Sequence, residues 1–200
     1  MLYKGIDVER ARAMYDSSTG DLCAAIPRAY CGNGDFGARP LVYWTPMREV
    51  ANRYSEWAKH KVKDVPLAIL QIAVPDAFVE KLKALYLWFD DSKDTWRQVV
   101  YHGRNGEMVP RDLSRRVCQE PGLLIGHILS GPNEKYGKFT SHQQIKKEHC
   151  LQVKNAEGQL IPAIQWVFFD KPLEELRERC EGKGWIHQLG ANYSSLGPRD

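Results

Sequence analysis

The chain has 200 residues, 43% hydrophobic and 26% charged, a globular balance that excludes wholesale disorder. Twenty-eight Lys and Arg against 25 Asp and Glu leave only +3, too little for charge alone to argue for a nucleic-acid or membrane partner. No apolar run approaches the roughly 20 residues needed to span a bilayer, and MLYKGIDVERARAMY lacks the apolar core of a signal peptide.

The length predicts one domain over residues 1–190, with a Ser-, Gly- and Pro-rich tail over 191–200. Five cysteines (Cys23, Cys31, Cys118, Cys150, Cys180) are widely spaced and form no CxxC. They read as free thiols in a reducing, cytoplasmic compartment.

Met1–Gly5 reads as a first strand. Asp7 is placed to cap a helix over Val8–Tyr15, Ser17–Gly20 breaks it, and Leu22–Tyr30 reads as a second short helix before the loop CGNGDFG. Leu41–Trp44 is β-prone. Thr45 then serves as N-cap and Pro46 as first helical residue, because proline lacks the N–H that would be unpaired there. Val50, Ala51, Tyr54, Trp57 and Ala58 recur at helical spacing and predict one apolar face, on a helix ending near Lys61.

Leu67–Val74 is a short apolar run and reads as a buried strand. Asp76 opens a helix through Leu82, and Ala84–Phe89 is a further strand. A helix over Ser92–Tyr101 turns Trp96, Val99 and Val100 inward, and HGRNGE reads as a turn. Pro110–Cys118 is expected to be helical, Gly122–Leu129 a strand, and Asn133–Thr140 an exposed loop. Gln144–Val153 and Pro162–Phe169 are expected as the last strands, on either side of the turn NAEGQ, and Leu173–Cys180 as the last helix. Seven or so strands, with helices gathered early and strands late, predict an α+β fold rather than regular βαβ alternation.

Most chemical motifs are missing. His60, His102, His127, His142, His149 and His187 supply no second ligand pair at zinc spacing, so no metal site is expected. There is no GxSxG, no Walker GxxxxGK[ST], and no signature around Cys118 or Cys150. The glycine-rich stretches GRNG (103–106) and GNGDFG (32–37) do not follow a strand and open a helix as a dinucleotide fingerprint must. Two basic clusters, Arg53 with Lys59, Lys61 and Lys63, and Lys146 with Lys147, read as solvated faces.

What remains is an ordered series of segments: LYKGID, GDFG, LVYWTPMREVANRYSEWAKHK, LLIGHILSGP and HQQIKKEHCLQV. In order and spacing it resembles the mono-ADP-ribosyltransferase-like families of bacteria and fungi. These open with LYHG or VYRG, continue through DFG-x-GFYLT into a helix with a WA pair, and then carry I-x-GP and a strand that begins with Gln or Glu. The resemblance spans most of residues 1–153.

It implies a split pair of antiparallel sheets with a cleft that takes NAD as substrate. Tyr3, Lys4 and Gly5 would lie on the first strand. Lys4 would stand in the place of the family's His or Arg, pairing with ribose or phosphate as a point charge. Asp35 and Phe36, between Gly34 and Gly37, would shape the loop. Tyr43 would stack on nicotinamide, followed by Trp44 and Thr45. Gln144 or Glu148 would occupy the place of the ribose-binding Glu, where a carboxylate stabilises the positive charge that develops as nicotinamide leaves. Four apart on a strand, the two would share a face.

On this resemblance the chain would transfer ADP-ribose to a protein or nucleic-acid acceptor, or to water, with no membrane partner. The alternative is a catalytically degenerate binding domain on the same scaffold, because Lys4 and Gln144 replace the family's anchor and carboxylate. A third reading is an RNA-end or phosphate-processing enzyme of the related transferase type, which requires a more basic cleft.

Overall fold

The computed structural model describes residues 1–23, 33–37, 41–61, 65–119, 121–180 and 182–190. The expected helix over Leu22–Tyr30 falls, beyond Cys23, outside the described residues, as do Lys63 and the 191–200 tail.

Strands β1 (Leu2–Asp7), β5 (Leu67–Ile72) and β11 (Gly184–Leu189) form an antiparallel sheet in the order β1-β5-β11. Strands β4 (Val42–Trp44), β10 (Ile164–Phe168), β7 (Leu123–His127) and β6 (Ala84–Leu87) form a second sheet in that order, antiparallel except for the parallel β6–β7 edge. Two backbone bonds join the sheets. Tyr3 N donates to Thr45 O at 2.7 Å and Thr45 N to Tyr3 O at 2.9 Å. Two short hairpins complete the strands among the described residues: β2 (Tyr15–Asp16) with β3 (Asp21–Leu22), and β8 (Gln152–Lys154) with β9 (Leu160–Pro162). The architecture is α+β, with helices and strands interleaved along the chain rather than segregated.

Helix α1 (Val8–Met14) is capped by Asp7, whose carboxylate accepts from Arg10 N at 2.8 Å. The helix stops one residue short of Tyr15, which pairs across to Leu22. Helix α2 (Arg48–Lys61) begins two residues later than expected, preceded by Met47, whose carbonyl accepts from Ala51 N at 3.3 Å. Thr45 is not its cap but ties the approach, its Oγ1 accepting from Met47 N at 3.1 Å and donating to Ile164 O at 2.7 Å. The expected apolar face of α2 needs correction: Val50, Ala51, Ser55 and Ala58 are buried, while Tyr54 and Trp57 are 38% and 55% exposed. The cause is close packing on β1. A Cβ at Gly5 would lie 1.7 Å from Ala51 O, so only small side chains fit that contact and the aromatic residues turn aside.

After the short α3 (Asp76–Lys81), helix α4 (Thr95–Asn105) runs through the HGRN that the sequence suggested as a turn. Gly103 does not break it. A Cβ there would meet Gly34 O at 2.3 Å and Asp35 O at 2.9 Å, so the glycine lets the helix lie against the 34–37 turn. A four-residue helix, α5 (Arg111–Ser114), continues as a wider turn through Gln119.

Residues 133–140 are not an exposed loop throughout. They contain α6 (Asn133–Tyr136), whose Tyr136 is fully buried. Nor is Gln144–Val153 one strand. His142–Gln144 and Lys147–His149 are 3-10 turns, and strand structure begins only at Gln152. Buried Ile145 and Cys150 stand five apart, which anchors turns rather than a period-2 strand. The expected last helix is α7 (Asp170–Arg179); strand β11, which the sequence reading lacked, pairs with β5.

One core lies between the first sheet, α1, α7 and one face of the second sheet, through Leu2, Ile6, Leu70, Val42, Trp44, Ile125 and Phe168. The other face of the second sheet packs on α4 through Leu87, Trp96, Val99, Leu124 and Val167. A small third core under α2 joins Val50, Ile128, Leu151 and Ala163. No helix among the described residues is long and apolar enough to cross a membrane.

Candidate functional site

The turn Gly34–Gly37 closes on itself through two backbone bonds, Gly34 N to Gly37 O at 3.2 Å and Gly37 N to Gly34 O at 3.4 Å. It presents Asp35 inward, 4% exposed. The carboxylate then becomes a hub. One oxygen pairs with Arg104 Nε of α4. The other accepts from Leu129 N at 3.0 Å, just past β7, and from Gln165 Nε2 of β10 at 2.6 Å. Arg104 spreads its remaining donors over Leu129 O, Gly131 O (3.0 Å) and Asn133 Oδ1 (2.9 Å). Asn133 Nδ2 returns to Asn33 O at 3.1 Å. A buried charge is stable only when paired and hydrogen-bonded, and both conditions are met here. Burial pulls the Arg104 pKa down, but the Asp35 carboxylate more than offsets it, so the guanidinium is held above its usual value.

Tyr43 is tied to this hub, and Tyr54 lies within its electrostatic reach. Tyr43 Oη accepts from Phe36 N at 3.1 Å, which ties the turn to β4. The Tyr54 hydroxyl, on α2, feels the same carboxylate although its ring is partly exposed. Burial first, and Asp35 second, raise the pKa of both phenols above the usual range. Both stay neutral donors at physiological pH. The Phe36 ring lies 6.3 Å from that of Tyr43.

Lys4 sits apart. Side chains alternate along a strand, so Lys4 shares the face of Leu2 and Ile6, in the first core with Trp44, whereas Tyr43 packs against the second core. Its Nζ donates to the backbone carbonyl of Tyr43 at 2.8 Å. Only 8% exposed, the amine is pushed down to about 7 by burial, with the Arg10 cation adding to the effect. Beside it Trp44 is 1% exposed, and its Nε1 has no hydrogen-bond partner among the described residues. The expected binding residues therefore divide between two faces of the joined sheet. Asp35, Phe36 and Tyr43 gather on one, Lys4 and Trp44 on the other. Tyr3 and Thr45 supply the backbone seam, and Gly5 supplies the seat for α2.

Gln144 and Glu148 lie on the two successive 3-10 turns, so the expectation that they share one strand face is corrected. Gln144 Oε1 accepts from Thr140 N at 2.6 Å and Ser141 N at 3.2 Å, which makes it a local cap. Glu148 is exposed.

Sequence reasoning missed Arg104, Gln165, Asn133 and Tyr54. One signal was available: Gln165 is a lone amide within the apolar run AIQWVFF, and a polar residue inside a buried strand needs a partner. Arg104 was hidden by the expected turn.

Among the described residues, no three His, Cys, Asp or Glu gather to hold a metal ion. The clefts flanking α7, about 510 and 530 Å³, are lined by residues such as Thr19, Glu178 and Lys183, or Asp21, Glu174 and Arg177, and by none of the expected site residues. Compared with known proteins, the chain matches no family model, no curated protein and no solved structure.

Proposed function

We propose that the chain is an ADP-ribosyltransferase-like protein that binds NAD beside the Asp35 hub. The supporting observation is that the rings of Tyr43 and Phe36 stand at a turn that a buried carboxylate holds rigid. A fixed turn with aromatic rings beside it suits a planar heterocycle such as nicotinamide, since binding then orders few groups. In the transferase reading, the nicotinamide–ribose bond breaks and ADP-ribose passes to an acceptor or to water. Glu148, exposed on the second 3-10 turn, is the carboxylate this reading assigns to steady the developing charge.

A second reading, binding without turnover, is favoured by the Gln144 side chain, whose oxygen already caps its own turn.

Calorimetric titration with NAD, run beside an assay of nicotinamide release, tests both readings. Release that Glu148→Gln abolishes, with the fold retained, supports transfer. Binding that Tyr54→Ala weakens, without release, supports the binding domain. No binding at millimolar NAD overturns the proposal.

A further inference from the structure

The segment from α6 to the second 3-10 turn carries Lys135, Lys138, Lys146 and Lys147 against Glu134 and Glu148, in a protein whose whole excess is +3. All four lysines are exposed, yet the backbone beneath them is held tightly. Tyr136 is buried and donates its hydroxyl to Ser130 O, Tyr101 Oη donates to Phe139 O at 3.0 Å, Ile145 and Cys150 are buried, and Ser141 and Gln144 cap the first turn. The cations therefore stand on a pre-ordered support, which lowers the entropic cost of engaging a ligand.

His149 shares the Tyr136 ring with Lys135, whose Nζ lies 5.6 Å from that ring's centroid. Its ring is 5.9 Å from that of Tyr136 and 5.6 Å from the half-buried Phe139. Its Nδ1 accepts from Lys146 N at 2.9 Å, which leaves the proton on Nε2 as a donor. Burial, then Lys135, then Lys146 push its pKa down, while Glu148 acts in the opposite sense. The imidazole is thus neutral within a positive field. Lys147 is partly engaged, 3.7 Å from Asp90, and that pair is largely exposed.

We propose that Lys135, Lys146 and the Nε2–H of His149 form a phosphate-recognition site for the backbone of single-stranded nucleic acid, with Phe139 as the adjacent stacking surface. Two ammonium groups and one neutral donor around an aromatic edge match a phosphodiester next to an unstacked base. An acidic peptide would use the cations but not the ring. This inference stands independently of the NAD reading.

The test is fluorescence anisotropy of a labelled oligo(U) single strand against the full chain over a salt series, with Lys135→Ala/Lys146→Ala as the variant. Each phosphate contact on a single strand contributes about 0.7 to the slope of log affinity against log salt, so losing two reduces it by about 1.4. A control pair on another face, Lys171→Ala/Lys183→Ala, leaves the slope unchanged. In the wild type, added oligonucleotide raises the His149 pKa in an NMR titration, because a phosphate favours the imidazolium. Absence of binding at low salt overturns the proposal, as does an unchanged slope in the Lys135/Lys146 variant. Equal binding of polyglutamate overturns the nucleic-acid assignment.

Discussion

Replacing Asp35 with Asn keeps the shape of the hub and removes its charge. In the native chain one carboxylate oxygen serves Arg104, and the other serves Leu129 N and Gln165 Nε2. An amide can face only one of those sides with its oxygen. Whichever way it turns, an NH2 group opposes existing donors and leaves at least one of them unsatisfied, at a cost of about 1–3 kcal/mol. The Arg104 charge also loses its buried counter-ion. Removing one partner of such a pair costs about 3–5 kcal/mol, here eased by the carbonyls of Leu129 and Gly131 and the Asn133 amide oxygen that Arg104 also reaches. A net loss of about 3–4 kcal/mol is expected once that relief is allowed for. With a urea slope of about 2 kcal/mol/M, the midpoint falls by roughly 1.5–2 M. Urea unfolding followed by tryptophan fluorescence reads this directly. Gln165→Ala on its own also destabilises, and in the double variant the two losses do not add, because the groups share one oxygen. A midpoint within about 0.3 M of wild type for Asp35→Asn, or strict additivity with Gln165→Ala, would refute the hub as a source of stability.

Gly103→Ala tests the helix–turn contact by its sign. Helix propensity alone would favour alanine by about 1 kcal/mol. The 2.3 Å approach to Gly34 O instead makes the change destabilising by about 1–3 kcal/mol, seen as a lower Tm. Lys4→Met tests the buried amine. Its folded pKa of about 7 lies below the unfolded value, so between about pH 7 and 10.5 the unfolded state holds a proton that the folded state lacks. Wild-type stability relative to the variant therefore rises with pH across that window, by up to about 1.4 kcal/mol per unit. Denaturation curves at several pH values that stay parallel for the two proteins would contradict it. Tyr43→Phe removes the acceptor of Phe36 N and costs about 1–2 kcal/mol in urea unfolding, with the ring retained for any stacking role.

Local chemistry was enough to read many elements from the sequence. Asp7 before VERARAM and the apolar run LAILQI carry a cap or a period set by neighbouring residues, and each became the expected element. The helix after Thr45-Pro46 also formed, but it starts at Arg48, so the cap and first-residue assignments to Thr45 and Pro46 did not hold. The α+β class was expected from helices gathered early and strands late; the class holds, but the elements are interleaved along the chain. Pairing information was not present locally. The late strand Gly184–Leu189 and the parallel β6–β7 edge exist because distant segments meet.

Glycine misled for the same reason. Gly103 has the local signature of a turn, and only the approach of the 34–37 turn shows it to be a helix contact. The candidate site divides in the same way. Asp35 and Tyr43 were singled out only through the resemblance carried by the GDFG-to-VYWT stretch, and their place at the hub came from the fold. Arg104 and Gln165, 69 and 130 residues away from Asp35 in sequence, were not singled out at all. A carboxylate in the sequence has no fixed state. Its charge is stable in the interior only because packing brings a guanidinium, an amide and a backbone N–H to within bonding distance, and that is a property of the folded chain alone.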